Sequence, residues 1–326
     1  MPVQVNNRPD EGERIVDTAT NSSQTSTPDD VRVALRYVLI TPARNEARLI
    51  EETIKSVVSQ TVRPQRYIVV SDGSTDGTDE IVQRYAASHP WIHLVRTPER
   101  AERNFAGKVR AFNAGYATLG DLAYDVIGNL DADITFDAHY VEFLLDRFAQ
   151  DAQLGVAGTP FREGDHQYDY RFTNIEHVSG ACQMFRRACF EEIGGYKPIK
   201  GGGIDWMAVT SARMRGWRTR TFTEKVCHHH RAIGTAQNSE LAARFRQGRK
   251  DYALGGHPLW QMFRSAYQMK SSPRVAGGVC LMAGYTWAWI TRTERSAGAE
   301  LIDFHRQEQL ARLRSALRLK PRHVAG

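Results

Sequence analysis

Short apolar runs and helically spaced apolar positions alternate along the first half of the chain. Residues 36–41 (Arg36-Tyr37-Val38-Leu39-Ile40-Thr41) are rich in branched and aromatic side chains and are followed by Pro42 and Asn45, the pattern of a buried strand. Within residues 46–60, Leu49, Ile50, Ile54, Val57 and Val58 recur at the spacing of one helix face. The same reading predicts strands at 67–71, 91–95 and 126–130, with helices over about 76–87 and 108–119. Strand and helix in regular alternation imply parallel strands joined by crossover helices. Over residues 156–230 the alternation loosens, and the last third reads mostly helical.

Composition narrows the class. The chain has 326 residues, 41% hydrophobic and 25% charged, which suits a globular protein with one large domain and room for an appendage. Its net charge of +6 is compatible with nucleic acid, an anionic membrane surface or a phosphorylated ligand. Runs of Lys and Arg interleaved with aromatics are absent, which sets nucleic acid aside. Cys182, Cys189, Cys227 and Cys280 form no CxxC pair, against both a disulfide scaffold and a zinc site. Residues 1–34 are polar and carry no apolar stretch of the kind a secretory signal needs, so they are expected to be a disordered tail of a cytoplasmic protein.

Two polar clusters fall at the carboxyl ends of predicted strands, where the ligand crevice of an α/β sheet lies. If the fourth strand continues through Asp131-Ala132-Asp133, both carboxylates face one side. Such a pair suits a Mg²⁺ or Mn²⁺ ion bridging to a diphosphate, and the same tripeptide also suits a solvated turn. Asp72 opens the turn Asp72-Gly73-Ser74-Thr75-Asp76-Gly77, in which Asp76 is placed to cap the next helix.

Taken together, Thr41-Pro42-Ala43-Arg44-Asn45-Glu46, Ser71-Asp72-Gly73-Ser74-Thr75-Asp76, Lys108 with Asn113-Ala114-Gly115, and Leu130-Asp131-Ala132-Asp133 resemble the family-2 glycosyltransferases in order and strand context. The likeness runs from about residue 37 to 231. It implies a GT-A fold over 35–232, α/β and Rossmann-like, its mostly parallel central sheet flanked by helices, with a C-terminal helical appendage over 233–326. It also implies a nucleoside-diphosphate sugar as donor, most simply a UDP-sugar, and Mg²⁺ or Mn²⁺ as cofactor. Pro42, Arg44 and Glu46 would line the base and ribose pocket, and Asp72 would hold the base or ribose. Lys108 would lie near the donor, Asp131 would contact ribose or sugar, and Asp133 would be the principal metal ligand.

The likeness continues through Gly180 to Arg187, Phe190 to Tyr196, and Gly203-Ile204-Asp205-Trp206. Family members place an acceptor-side segment here, ending in an acidic residue that serves as general base. Their usual Glu-Asp is Ile204-Asp205 in this chain, which keeps the carboxylate assigned to catalysis. A base is required because a sugar hydroxyl is a poor nucleophile at neutral pH. In His228-His229-His230-Arg231, neighbours on a strand point to opposite sides, so the three imidazoles cannot share one metal. The cluster is either a polar strand end or a ligand source. The resemblance implies that His229 or His230 contacts metal or diphosphate, with Arg231 as an alternative phosphate partner.

Farther on, Gln247-Gly248-Arg249, Asp251-Tyr252 and Gly255-Gly256-His257-Pro258 resemble a helical appendage of bacterial polysaccharide-assembly members. The Gln-x-x-Arg-Trp motif of processive synthases is absent, pointing to addition of a single sugar to a saccharide or lipid-linked saccharide. Residues 275–290 carry no charge but fall short of the roughly twenty apolar residues that span a bilayer, and Gly277, Gly278 and Gly284 weaken the run as an isolated helix. Trp287 and Trp289, with Arg274 and Arg292 as flanks, suit a segment lying at a membrane interface. The run equally fits a buried core helix. A basic stretch with Arg306, Arg312, Arg314, Arg318, Lys320 and Arg322 follows, its apolar stripe being Leu310, Leu313 and Leu317, suited to anionic lipid or to packing on the domain. The expectation is therefore an inverting, metal-assisted glycosyltransferase, peripheral on the cytoplasmic face of a membrane. Competing readings are an inert nucleotide-sugar-binding or membrane scaffold protein, a nucleotidyltransferase, which lacks support because residues 41–46 are no Gly-rich phosphate loop, and a dinucleotide oxidoreductase, for which no GxGxxG follows the first strand.

Overall fold

A computed structural model of the chain describes residues 35–98, 105–163, 175–199, 202–230, 240–270 and 272–318. The expected tail at 1–34 and the residues Arg231, Lys320 and Arg322 lie outside them. The predicted alternation appears as β1 (Tyr37–Ala43), α1 (Ile50–Val58), β2 (Arg66–Asp72), α2 (Thr78–Ser88), β3 (Ile92–Thr97), α3 (Phe105–Ala117) and β4 (Val126–Leu130). There follow β5 (Ile134–Thr135), α4 (Tyr140–Gln150), β6 (Leu154–Gly158), β7 (Phe161–Arg162), β8 (Cys182–Arg186), α5 (Arg187–Glu192), α6 (Ile204–Met214), β9 (Arg218–Thr221) and β10 (Cys227–His229). Four helices complete the described chain: α7 (Glu240–Ala253), α8 (Pro258–Gln268), α9 (Arg274–Ile290) and α10 (Ala299–Arg318).

The main sheet has the order β3-β2-β1-β4-β8-β6-β9. β3, β2, β1 and β4 run parallel, β8 is antiparallel to both its neighbours, and β9 pairs parallel with β6. Its two faces are sorted by residue parity, as a pleated strand buried on both sides requires. Tyr37, Leu39, Tyr67 and Val69 pack under α1, α2 and α4, whereas Val38, Ile40, Ile68 and Val70 pack under α3, α5 and α6. The fold is thus the α/β, mostly parallel, helix-flanked arrangement expected.

Gly115, part of the motif with Lys108, shows why a glycine stands there. A methyl group at that position would sit 2.8 Å from Val70 Cγ2 and 3.0 Å from Ile40 Cγ2, so its absence lets α3 lie close on the sheet. The close approach sets where Lys108, two turns earlier, can reach. Arg186 closes the other end of the layer: its guanidinium donates to the Phe148, Asp151 and Leu154 carbonyls, satisfying acceptors at the end of α4.

One conditional expectation is corrected. β4 ends at Leu130, and Asp131-Ala132-Asp133 turns out of the sheet before β5. The strand does not continue because Ile134 and Thr135 leave to pair with β10 in a second, three-stranded sheet of order β5-β10-β7.

One small cluster joins the C-terminal helices to the rest, and another joins two of them to each other. Ile199 and Met207 meet Ala297, Leu301 and Ile302, and Tyr252 of α7 meets Tyr285 and Ala288 of α9. The described residues cluster as one compact unit.

Candidate active site

The parallel strands deliver their ends to one edge of the sheet, and those of β1, β2 and β4 carry motif residues. After β1, Pro42 and Ala43 lead into Arg44, Asn45 and Glu46, and β2 ends on Asp72. The two loops are stitched together. Asn45 Oδ1 accepts from the Thr75 amide (2.8 Å), the Glu46 amide donates to Thr78 Oγ1 (2.9 Å), and the Ala47 amide donates to Asp76 Oδ2 (3.0 Å). The cap position of α2 is Gly77, one residue later than expected, but Asp76 Oδ1 accepts from the Thr78 amide and so serves the start of α2 while tying down the β1 loop. Asp72 is buried and its Oδ1 accepts from Thr97 Oγ1 (2.9 Å). Preformed loops of this kind hold side chains in place before any ligand arrives, which lowers the ordering cost of binding.

Beyond β4 lies a cavity of about 300 Å³. Asp131, Lys108, Asp205 and His229 share its wall, drawn from four different elements. The ammonium of Lys108 donates to Asp131 Oδ1. Burial pushes the Asp131 carboxyl up, and Lys108 opposes that rise, as does the solvent reaching the 28% of its side chain that stays exposed. Asp205 occupies the first turn of α6, where helix amides favour a negative charge. The turn before it depends on Gly203, whose φ of 97° is a left-handed conformation that glycine adopts without strain. Gly180 lies directly against the carboxylate, since a methyl there would stand 3.0 Å from Asp205 Cβ. Tyr196, at the end of the Phe190 to Tyr196 motif, donates its hydroxyl to Gln183 Oε1 (2.6 Å) and also lines the cavity. Burial raises its phenol well above the usual range, reinforced by Asp205 and Asp131.

The second sheet brings in the histidine. Antiparallel pairing of β10 with β5 sets His229 opposite Ile134, next to Asp133, and His229 Nε2 lies 3.4 Å from Asp133 Oδ1. Its Nδ1 is 2.9 Å from Glu163 Oε1. Burial would lower the His229 imidazole, but Asp133 and Glu163 outweigh it and the ring is raised above its ordinary value. His230 is not brought into this group: its Nε2 contacts Thr135 Oγ1 (2.7 Å) on the exposed side, and its amide donates to the Asp133 carbonyl. Among the described residues, no group of three or more His, Cys, Asp or Glu side chains is placed to hold a metal unaided.

Asp131 and Asp205 therefore meet around one space, Asp133 adjoins it through His229, and Asp72 stands on the same sheet edge, two strands from β4. Pro42, Arg44 and Glu46 lie along that edge at the end of β1. Two residues of this region escaped the sequence reading. Lys250, reaching the cavity from α7, is indistinguishable in the sequence from other surface cations. Glu163 meets His229 only because β7 and β10 pair.

A mostly parallel sheet with paired acidic turns at its carboxyl edge and a carboxylate on the facing helix is the GT-A arrangement. Residues 38–193, just under half of the chain, match the family model described as glycosyl transferase family 2. A poly-beta-1,6-N-acetyl-D-glucosamine synthase of Staphylococcus epidermidis is 21% identical over 269 residues, which cover 76% of this chain and 61% of the relative. The protein of the same name from Staphylococcus aureus (strain COL) is 29% identical over 136 residues, 41% of this chain and 31% of the relative. The chain thus spans about three fifths, or less, of the length of these curated relatives. Among solved structures, mannosyltransferase PcManGT from Pyrobaculum calidifontis in complex with GDP-Man and Mn²⁺ superposes with a TM-score of 0.51 at 21% identity, covering 88% of this chain and 81% of that one. S. aureus TarS 1-349 in complex with UDP-GlcNAc gives 0.51 at 13% identity, with 81% and 75% covered. These likenesses establish the fold.

Proposed function

We propose that the protein transfers a single sugar from a nucleoside-diphosphate sugar, a UDP-sugar in the first instance, to a hydroxyl of a saccharide or lipid-linked saccharide, with inversion at the anomeric carbon. The observation that carries this reading is the convergence of Asp131 and Asp205, far apart in sequence, on one cavity with Lys108 and His229. Asp205 is the general base. It accepts the acceptor's hydroxyl proton as the oxygen bonds to the anomeric carbon, while the bond to the diphosphate breaks and its electron pair leaves with the nucleotide. Asp72, with Pro42, Arg44 and Glu46, holds the nucleoside end of the donor, and Lys108 and Asp131 hold the ribose and sugar end.

Asp133 and His229 are the residues suited to Mg²⁺ or Mn²⁺. Their 3.4 Å separation is near the roughly 3 Å between neighbouring ligand atoms of an octahedral ion with bonds of about 2.1 Å. Such an ion takes its remaining ligands from phosphate and water, so two protein groups suffice. When bound, it supplies positive charge against the diphosphate as it leaves. Arg231 remains the proposed alternative partner for a phosphate.

Addition of one sugar is favoured over polymerisation by the segment Gln247 to Asp251, where Lys250 and Asp251 stand in place of the Arg-Trp of processive synthases. The names of the staphylococcal relatives favour the second reading, chain extension. Product length decides between the two.

Attachment to the cytoplasmic face of a membrane is supported by α8 and α9. Leu259, Met262, Val275, Val279, Trp289 and Ile290 are more than half exposed. No Asp or Glu occurs between Asp251 and Glu294, while Lys270, Arg274 and Arg292 do, which suits an anionic lipid surface. Among the described residues, no helix is long and apolar enough to cross a membrane.

The test is Asp205→Asn assayed with a panel of nucleoside-diphosphate sugars and Mn²⁺. Transfer is expected to fall by at least 100-fold, within the usual contribution of a general base, with donor affinity unchanged. Turnover retained within a few fold removes Asp205 from the role.

A further inference from the structure

We propose that Glu163 is a positioning residue for the cation site: its carboxylate orients the His229 ring so that Nε2, and not Nδ1, faces Asp133. The inference rests on the reading of Asp133 and His229 as the cation's protein ligands, and it assigns a task to a residue outside that pair.

The arrangement is built by strand register. β10 pairs parallel with β7, Cys227 opposite Phe161 and His228 opposite Arg162, which brings Glu163 alongside His229. Glu163 Oε1 is 2.9 Å from His229 Nδ1, and His229 Nε2 is 3.4 Å from Asp133 Oδ1 on the other side of the ring. The Phe161 ring packs edge-on against the imidazole at 5.8 Å between centroids, holding its plane. Only 9% of the His229 side chain and 10% of the Asp133 side chain are exposed, so neither is free to swing into solvent.

An ionised carboxylate only accepts hydrogen bonds, and a neutral imidazole carries one N–H and one lone pair. With the N–H on Nδ1 directed at Glu163, the lone pair is left on Nε2, beside Asp133. A carboxylate behind a metal-bound histidine fixes both tautomer and ring orientation, and loss of such a partner typically weakens metal affinity about 10- to 100-fold. Glu163 is on the far side of the ring from Asp133, which suits support and not ligation.

The test measures Mn²⁺ binding, not turnover. Wild-type protein, Glu163→Ala and Glu163→Gln are titrated with MnCl₂ in the presence of UDP, following the free Mn²⁺ signal by electron paramagnetic resonance. Binding of UDP without metal and thermal unfolding serve as controls. Glu163→Ala is expected to bind Mn²⁺ at least tenfold more weakly, with metal-free UDP binding unchanged. Glu163→Gln keeps an acceptor oxygen and is expected to recover most of the loss. In ¹⁵N spectra of the metal-free protein, the His229 ring nitrogens, assigned by comparison with His229→Ala, should shift in Glu163→Ala and much less in Glu163→Gln. Mn²⁺ affinity within threefold of wild type in Glu163→Ala overturns this inference alone. Absence of Mn²⁺ binding by wild type, or binding unaffected by Asp133→Ala, overturns the cation reading beneath it.

Discussion

Replacing Gly248 with alanine tests how the C-terminal helices are joined to the cavity. Gly248 of α7 and Gly284 of α9 face the other helix's backbone directly. A methyl group at Gly248 would collide with the Leu281 carbonyl oxygen and stand 2.8 Å from the Tyr285 amide nitrogen; one at Gly284 would collide with the Phe245 carbonyl. Ordinary contact begins at 3.4 Å, so the helices would have to part by more than half an ångström, and no side chain can yield in their place. Two effects compete. Alanine in a helix is favoured over glycine by about 1 kcal/mol. Overpacking costs about 1–3 kcal/mol when flexible groups absorb it, and a backbone collision belongs at the upper end or beyond. The net expectation is a loss of roughly 2 kcal/mol, or about 4–8 °C in Tm on the scale of domains of about 150–250 residues. Because Lys250 lies two residues on and lines the cavity, turnover should fall as well. Gly298→Ala is the control: nothing lies within 4 Å of its added methyl group, so only the poorer cap it gives α10 remains, a loss of roughly 0.5–1 kcal/mol. A raised Tm for Gly248→Ala, as helix propensity alone predicts, would refute the reasoning.

Gly180→Ala would press a methyl group onto Asp205, at 3.0 Å from its Cβ and 3.5 Å from Oδ2, so kcat should drop at least tenfold with UDP affinity unchanged by calorimetry; an unaltered kcat would mean the carboxylate need not be held there. Glu308 of α10 joins α6 through Arg213, with contacts of 2.7 and 3.1 Å. Burial would raise the Glu308 carboxyl, but His305 and Arg213 hold it at about 2, below its ordinary 4.5. A depressed carboxylate contributes stability that is complete above pH 4.5 and is lost as the pH falls toward 2, at most roughly 3 kcal/mol. Denaturant unfolding between pH 5 and pH 2 (about the range of that titration) should show a shallower fall for Glu308→Gln than for wild type, and parallel curves would contradict this. Replacing Trp289 and Ile290 together with serine removes two side chains that are 64% and 68% exposed. Recovery on liposomes rich in anionic lipid should weaken at least tenfold, since each such side chain contributes on the order of 1.5 kcal/mol or more when buried; equal recovery would exclude this face as the contact.

Much of the molecule was legible before any coordinate, because its signals are local. Parity in Tyr37 to Ile40 and Tyr67 to Val70 describes a strand buried on both faces, and the helical spacing of Ile50, Ile54 and Val57 describes what covers it. Strand pattern placed Asp72, Asp131 and Asp133 at strand ends, whereas the helix that Asp205 opens emerged only in the fold. The tripeptide Asp131-Ala132-Asp133, however, reads equally well as strand or turn. Its outcome is decided by β10, almost a hundred residues away, which captures Ile134 and Thr135 and ends the continuation of β4. The choice of His229 over His230 follows from the same pairing. Glu163 became visible only through β7, and the glycines of α7 and α9, which in isolation argue against helix, are what allow two backbones to touch.

By itself, then, the sequence determined the parallel layers and the identity of the acidic residues, since hydrophobic periodicity and turn chemistry act over a few residues. Tertiary structure decided which imidazole meets Asp133, what stands behind it, and that Lys250 reaches Asp205's cavity. Those depend on register and helix approach between distant segments, and neither leaves a mark in any single stretch of chain.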